Sequence, residues 1–277
     1  MRKFLKILRI GFICLPRTLW EYFTWILPYS RHPEKYPLEQ RYAKARSLII
    51  FLLRHMRFDV KGENLDLLST DVPALFVANH VGALDPLILI ALSPRPVSFI
   101  AKKEAEHMFA VGRFIKAING LFLDREDPFQ AVKLFRVAKE NMEKYHLSYC
   151  IFPEGTRIDD RYSGKTRAFH PGSFKIAFMS KSPIISFAQF GSFHVLDQKK
   201  GKSHPVQLRV LSRYEYEDYS PLKTVGVAEK LQAQIAAELP SLIQYDVEYY
   251  GQGKNKLRAS PWHKALLEVE TIRELMR

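Results

Sequence analysis

The apolar positions of the chain follow two regimes. Up to about residue 57 they recur at helical spacing. Leu5, Leu8, Phe12, Leu15, Leu19, Phe23 and Ile26 share one stripe, with Arg2, Lys3, Lys6, Arg9, Arg17 and Glu21 on the other side. Pro16 predicts a kink near the middle of this helix. A second helix over about 38–57 carries SLIIFLL between Arg46 and Arg54, and the two prolines of RHPEKYP predict a bend between the helices. From Phe58 onward short apolar runs alternate with helical stretches. Strands are expected at 58–61, 73–79, 97–101, 120–124, 148–152, 183–190 and 206–215. Helices are expected at 86–92, 104–118, 128–145, 171–180 and 224–243. Such alternation predicts an α/β fold, a single mixed sheet with helices on both faces. The expected divisions are a basic helical segment (1–57), the α/β domain (58–250), and a linker with a C-terminal helix (251–277). That last helix would open at Ser260 with Pro261 in its first position.

Charge sharpens the reading of the first division. The chain of 277 residues carries a formal net charge of +13. Residues 1–57 hold twelve Lys or Arg against three acids, nine of those thirteen charges. The longest uncharged run of this segment, Tyr22–Ser30, falls well short of the roughly 20 residues that a spanning helix needs. No A-x-A pattern follows the apolar run, so a signal peptide is not expected either. Trp20, Tyr22, Trp25 and Tyr29 beside a basic face suit a lipid headgroup boundary. The segment is therefore expected on an anionic phospholipid surface, peripheral or monotopic on the cytoplasmic face of a membrane. The competing reading packs these helices on the protein's own core. Nucleic acid is not an expected partner, because the charge rides on very apolar helices and no zinc-finger or RNA-binding signature is present. Cys14 and Cys150 lie too far apart in sequence and context to suggest a disulfide framework or a zinc site.

Three blocks carry candidate chemistry. ANHVGALDP (78–86) ends a strand, loops through Gly82 and starts a helix. In one reading Asp85 only caps that helix, ahead of Pro86. In the other, Asp85 also holds His80 in one tautomer and leaves Nε2 to accept a proton from a hydroxyl. NGLFLDRED places Arg125 at a strand end, either as a solvated charge or as a phosphate ligand. CIFPEGTR (150–157) delivers Glu154, Gly155, Thr156 and Arg157 to the same edge of the sheet, where α/β folds hold their sites.

Taken in order, NHVGALD, GLFLDR, FPEGTR and SPIISFA resemble the four sequence blocks of the glycerolipid acyltransferase superfamily, over roughly residues 58–215. Leu123 stands where the second block commonly has Ile, and Ser186 and Phe187 stand where the fourth commonly has a second proline. The resemblance implies acyl transfer from a thioester, acyl-CoA or acyl-carrier protein, to a lysophospholipid such as 1-acylglycerol-3-phosphate. His80 would be the general base, oriented by Asp85. Arg125 and Arg157, with Glu154 and Thr156, would hold the acceptor's glycerol phosphate, with Gly155 and Thr156 amides as oxyanion donors. Lys102 and Lys103 are further candidates for donor or phosphate contacts. No metal and no cofactor beyond the acyl co-substrate are expected. Other acceptors, and a non-catalytic phospholipid-binding role, stay open on the sequence.

Overall fold

The structure is a computed structural model that describes residues 2–69, 71–124, 126–197, 203–251 and 268–269. Arg125, the linker and all but two residues of the expected C-terminal helix lie outside the described residues. Seven strands form one sheet: β1 (Phe58–Glu63), β2 (Leu75–Ala78), β3 (Val97–Lys102), β4 (Leu121–Leu123), β5 (Ser148–Ile151), β6 (Ile184–Phe190) and β7 (His204–Tyr214). Their order is β1-β7-β6-β2-β5-β3-β4, parallel throughout except where β7 runs antiparallel to β6. The three inner strands β2, β5 and β6 are buried at every position, as a parallel sheet covered on both faces requires. Val77 at the centre faces Ile151 on one side and Ser186 on the other.

The helices follow the expected order. At the N-terminus α1 (Arg2–Glu21) passes through one π turn (Tyr22–Ile26) into α2 (Leu27–Arg31), and α3 (Leu38–His55) follows a short link. Next come α4 (Asp85–Leu92), α5 (Val111–Ala117) and α6 (Pro128–Tyr145). Then come α7 (Lys175–Ser180), α8 (His194–Asp197), α9 (Tyr216–Tyr219) and the long α10 (Lys223–Gly251). Side chains of α3 and α4 pack with the N-terminal aromatics on one face of the sheet, and α6, α7 and α10 cover the other. Asp127 caps α6 by accepting from the Phe129 and Gln130 amides, with Pro128 in the first turn.

Two expectations need correction. The helix expected at 104–118 is broken into a 3₁₀ turn (Lys103–His107) and α5, with Ala110 at φ +61° between them. The chain doubles back so tightly that a Cβ on Gly112 would lie 2.8 Å from the Glu106 carbonyl carbon. Helix α1 continues through Pro16 and passes into the π turn after Glu21. Finally, Tyr22, Trp25 and Tyr29 do not face a headgroup boundary: they are buried in the core, Trp25 to 1%. A π turn carries an extra residue and rotates the face that follows it. That rotation turns Trp25, Ile26 and Tyr29 inward, while Leu8, Phe12, Leu15, Leu19 and Phe23 remain exposed, Phe12 to 84%. The apolar stripe read from the sequence is thus largely outward-facing.

Candidate active site

Sheet order decides which loops meet. β6, β2 and β5 are adjacent and parallel, so their C-terminal ends deliver residues 191–193, 79–84 and 152–157 to one place. Asn79 extends the pairing one step beyond β2. Its side-chain Nδ2 donates to the Gln189 carbonyl (2.9 Å), and its Oδ1 accepts from the Gln189 amide (2.9 Å). The Gln189 Nε2 donates in return to the Asn79 carbonyl (3.1 Å). The residue that follows this clasp is His80.

His80 Nδ1 lies 2.7 Å from Asp85 Oδ2. The same oxygen accepts from the amides of Val81 (2.8 Å) and Gly82 (3.0 Å), and Oδ1 accepts from the Ser192 hydroxyl. An ionised carboxylate only accepts, so Nδ1 carries the ring proton and Nε2 is left with its lone pair. Asp85 is fully buried, whereas 20% of the His80 side chain is exposed. The ring stacks on Phe152 at 4.4 Å and 19°. The backbone is fixed as well: the His80 amide donates to Glu154 Oε1 (2.7 Å) and its carbonyl accepts from the Ile158 amide (3.2 Å). This is an imidazole locked in tautomer and orientation with one basic nitrogen available, the arrangement of a general base.

Asp85 does not cap α4 as expected. Leu84 occupies the cap position, and the Leu87 amide bonds to the Leu84 carbonyl at 3.0 Å. The carboxylate turns back instead into the loop, where four donors occupy it. Ser192 is the partner that sequence reading missed. A serine after Gly191 at the end of an apolar strand looks like ordinary turn chemistry, and only the pairing of β6 with β2 brings it to Asp85. Gly82 is what lets the two loops touch, since a Cβ there would meet the Ser192 hydroxyl and lie 2.9 Å from the Phe193 amide nitrogen. Gly82→Ala is therefore expected to destabilise the fold by about 1–3 kcal/mol, the cost of overpacking a tight site. A lowered denaturation midpoint, together with reduced turnover, is the check.

The other candidates divide. Glu154 is buried, with Oε1 on the His80 amide and Oε2 on the Arg167 amide (2.8 Å). Burial pushes its pKa above the ordinary carboxylate value. Its two oxygens thus brace the backbone at His80 and at Arg167. Gly155 takes φ +74°, a conformation suited to glycine, and its amide donates to the Phe152 carbonyl (3.0 Å), so that donor closes a turn. Thr156 and Arg157 are exposed at the mouth. Lys102 pairs with Glu104 (2.7 Å), both exposed. Lys103 pairs with Asp124 (2.8 Å), joining the segments after β3 and β4 and holding that carboxyl below its usual range. Arg125 follows Asp124 and lies outside the described residues.

Fold and site together define a class: an α/β protein presenting a carboxylate-oriented imidazole at the C-terminal edge of its parallel strands. Residues 58–189 match the model of the Acyltransferase family. Among its relatives is the probable 1-acyl-sn-glycerol-3-phosphate acyltransferase of Mycoplasma pneumoniae, 32% identical over 181 residues, 62% of this chain and 64% of that one. The corresponding protein of Mycoplasma genitalium is 29% identical over 214 residues, 74% of this chain and 77% of its own. The chain thus spans less than two thirds of the first relative and somewhat more of the second. The crystal structure of the 1-acyl-sn-glycerophosphate acyltransferase of Thermotoga maritima shares the fold, with a TM-score of 0.58 at 23% identity, covering 92% of this chain and 100% of that one.

Proposed function

We propose that the protein transfers a fatty acyl group from acyl-CoA or acyl-carrier protein to the free hydroxyl of 1-acylglycerol-3-phosphate, giving phosphatidic acid. The observation that carries this reading is the His80–Asp85 pair, with Nε2 free at a partly exposed edge. Nε2 takes the hydroxyl proton as the oxygen attacks the thioester carbonyl, and Asp85 stabilises the imidazolium. The tetrahedral intermediate expels the thiolate, which recovers the proton from His80. The substrate supplies the nucleophile of a Ser-His-Asp-like arrangement. Arg157, with Arg125 and the Thr156 hydroxyl, is proposed to hold the acceptor's phosphate. The test is thiol release from palmitoyl-CoA, and from palmitoyl-acyl-carrier protein, with and without the acceptor. Release that requires the acceptor and yields phosphatidic acid supports the reading, and none with either donor overturns it.

No helix among the described residues is long and apolar enough to cross a membrane. The exposed stripe of Leu8, Phe12, Leu15, Leu19 and Phe23 on a basic helix supports peripheral docking on an anionic bilayer, which brings a one-tailed acceptor to the His80 edge. Each basic residue near such a surface contributes roughly 1 kcal/mol. Replacing Arg2, Lys3, Lys6 and Arg9 by Gln is expected to weaken sedimentation with phosphatidylglycerol vesicles by about 10²–10³-fold at low salt. Turnover on a detergent-dispersed acceptor should survive. Equal losses in both assays would refute this division of labour.

A further inference from the structure

Between α1 and α3, lined by none of the residues of the His80–Asp85–Ser192 cluster, lies a cleft of about 440 Å³ whose lining is cationic. Arg17 projects from α1 and Arg46, Arg54 and His55 from α3, with Ser47 between them and Ile50 and Phe51 as an apolar wall. Arg17 is paired with Glu21, and among the described residues no carboxylate lines the cleft beside Arg46 and Arg54. Such a concentration of positive charge is offset most directly by a bound anion.

Arg17 and Arg46 are also held in place. The Nε of Arg17 donates to Glu21 (3.0 Å), its Nη2 approaches the Ser47 hydroxyl (3.3 Å), and its guanidinium lies 4.3 Å over the Phe51 ring. Arg46 is buried, with Nε on the Ala91 carbonyl in the last turn of α4 (3.0 Å). Fixed guanidinium forks match the oxygens of a phosphate, and pre-organisation lowers the entropy lost on binding. The apolar wall would suit the glycerol and the first carbons of an acyl chain.

We propose that this cleft binds the phosphate group of an anionic phospholipid, at a site separate from the acceptor site beside His80. A phosphate there bridges Arg17 of α1 to Arg46 and Arg54 of α3, so occupancy ties the two helices together. The site does not depend on the acyl-transfer reading, and its test does not use turnover.

The experiment is calorimetric titration of the full chain with water-soluble dihexanoyl phosphatidic acid, inorganic phosphate and dihexanoyl phosphatidylcholine. Phosphatidic acid is expected to give two binding events. The double variant Arg17→Gln/Arg54→Gln should weaken one of them by at least about tenfold, and Arg157→Ala should affect the other. Ala43→Trp keeps every charge but fills the cleft, and should abolish the same event as the double variant. Melting without ligand verifies that each variant is folded. Identical isotherms in wild type, the double variant and Ala43→Trp would overturn the proposal. Inorganic phosphate binding as tightly as the lipid would overturn the lipid assignment.

Discussion

His80→Ala is expected to lower acceptor-dependent thiol release by about 10²–10⁴-fold, the usual contribution of a positioned general base. Acceptor KM should change little, because the imidazole acts on the proton that moves in the transition state rather than on the phosphate that anchors the ground state. The fold should tolerate the change. The His80 amide and carbonyl, not its ring, carry the bonds to Glu154 and Ile158, and alanine keeps both. The ring's bond to buried Asp85 is lost, at a cost of about 1–3 kcal/mol, so the mutant should stay folded with a modestly lowered denaturation midpoint while turnover is lost. Full activity in His80→Ala would remove the catalytic reading of the loop.

Asp85 separates the two roles differently. In Asp85→Ala the Val81 and Gly82 amides and the Ser192 hydroxyl lose their buried acceptor, and each unsatisfied group costs about 1–3 kcal/mol. A total loss of about 3–5 kcal/mol is expected, with turnover falling as far as in His80→Ala because the ring is no longer held. Asp85→Asn should behave otherwise. Its amide oxygen can keep the three donors now on Oδ2, and the Ser192 hydroxyl can turn to accept from the new Nδ2. Stability should then change by about 1 kcal/mol. The negative charge beside the imidazolium is gone, however, and a fall of about 10²–10³-fold in kcat is expected, since a partly screened pair at this range is worth up to about 4 kcal/mol. Melting curves and kcat for the two variants check both statements. Comparable kcat in Asp85→Asn and wild type would reduce the carboxylate to a loop fastener.

The sequence reading located the strands to within about two residues because inner parallel strands are short, apolar and bounded by turns. It did not reveal that β7 reverses against β6 and runs beside β1, since burial patterns are alike for either direction. His80 and Asp85 were visible as a pair because their spacing is local. Ser192 was invisible because its partner is 107 residues away. Glu154 was visible, but its task could not be read: a carboxylate beside arginines looks like part of a binding site until its oxygens are found on two backbone amides. Trp20 is exposed as expected, but Tyr22, Trp25 and Tyr29 were misread for a related reason. Apolar periodicity tells which residues leave water but not whether protein or lipid receives them, and one π turn reassigns the answer for Trp25 and Tyr29.

The order of the sheet has a consequence for how such a protein can be altered. Everything that holds the base comes from β2 and its two neighbours, while the segments after β3 and β4, with Lys103 and Asp124, hang from the outer flank. Those outer loops can be exchanged for a relative's without disturbing a single hydrogen bond of the His80–Asp85–Ser192 cluster. A loop graft on the β3–β4 side thus replaces Lys103, Asp124 and their neighbours and leaves the His80–Asp85–Ser192 cluster as it stands.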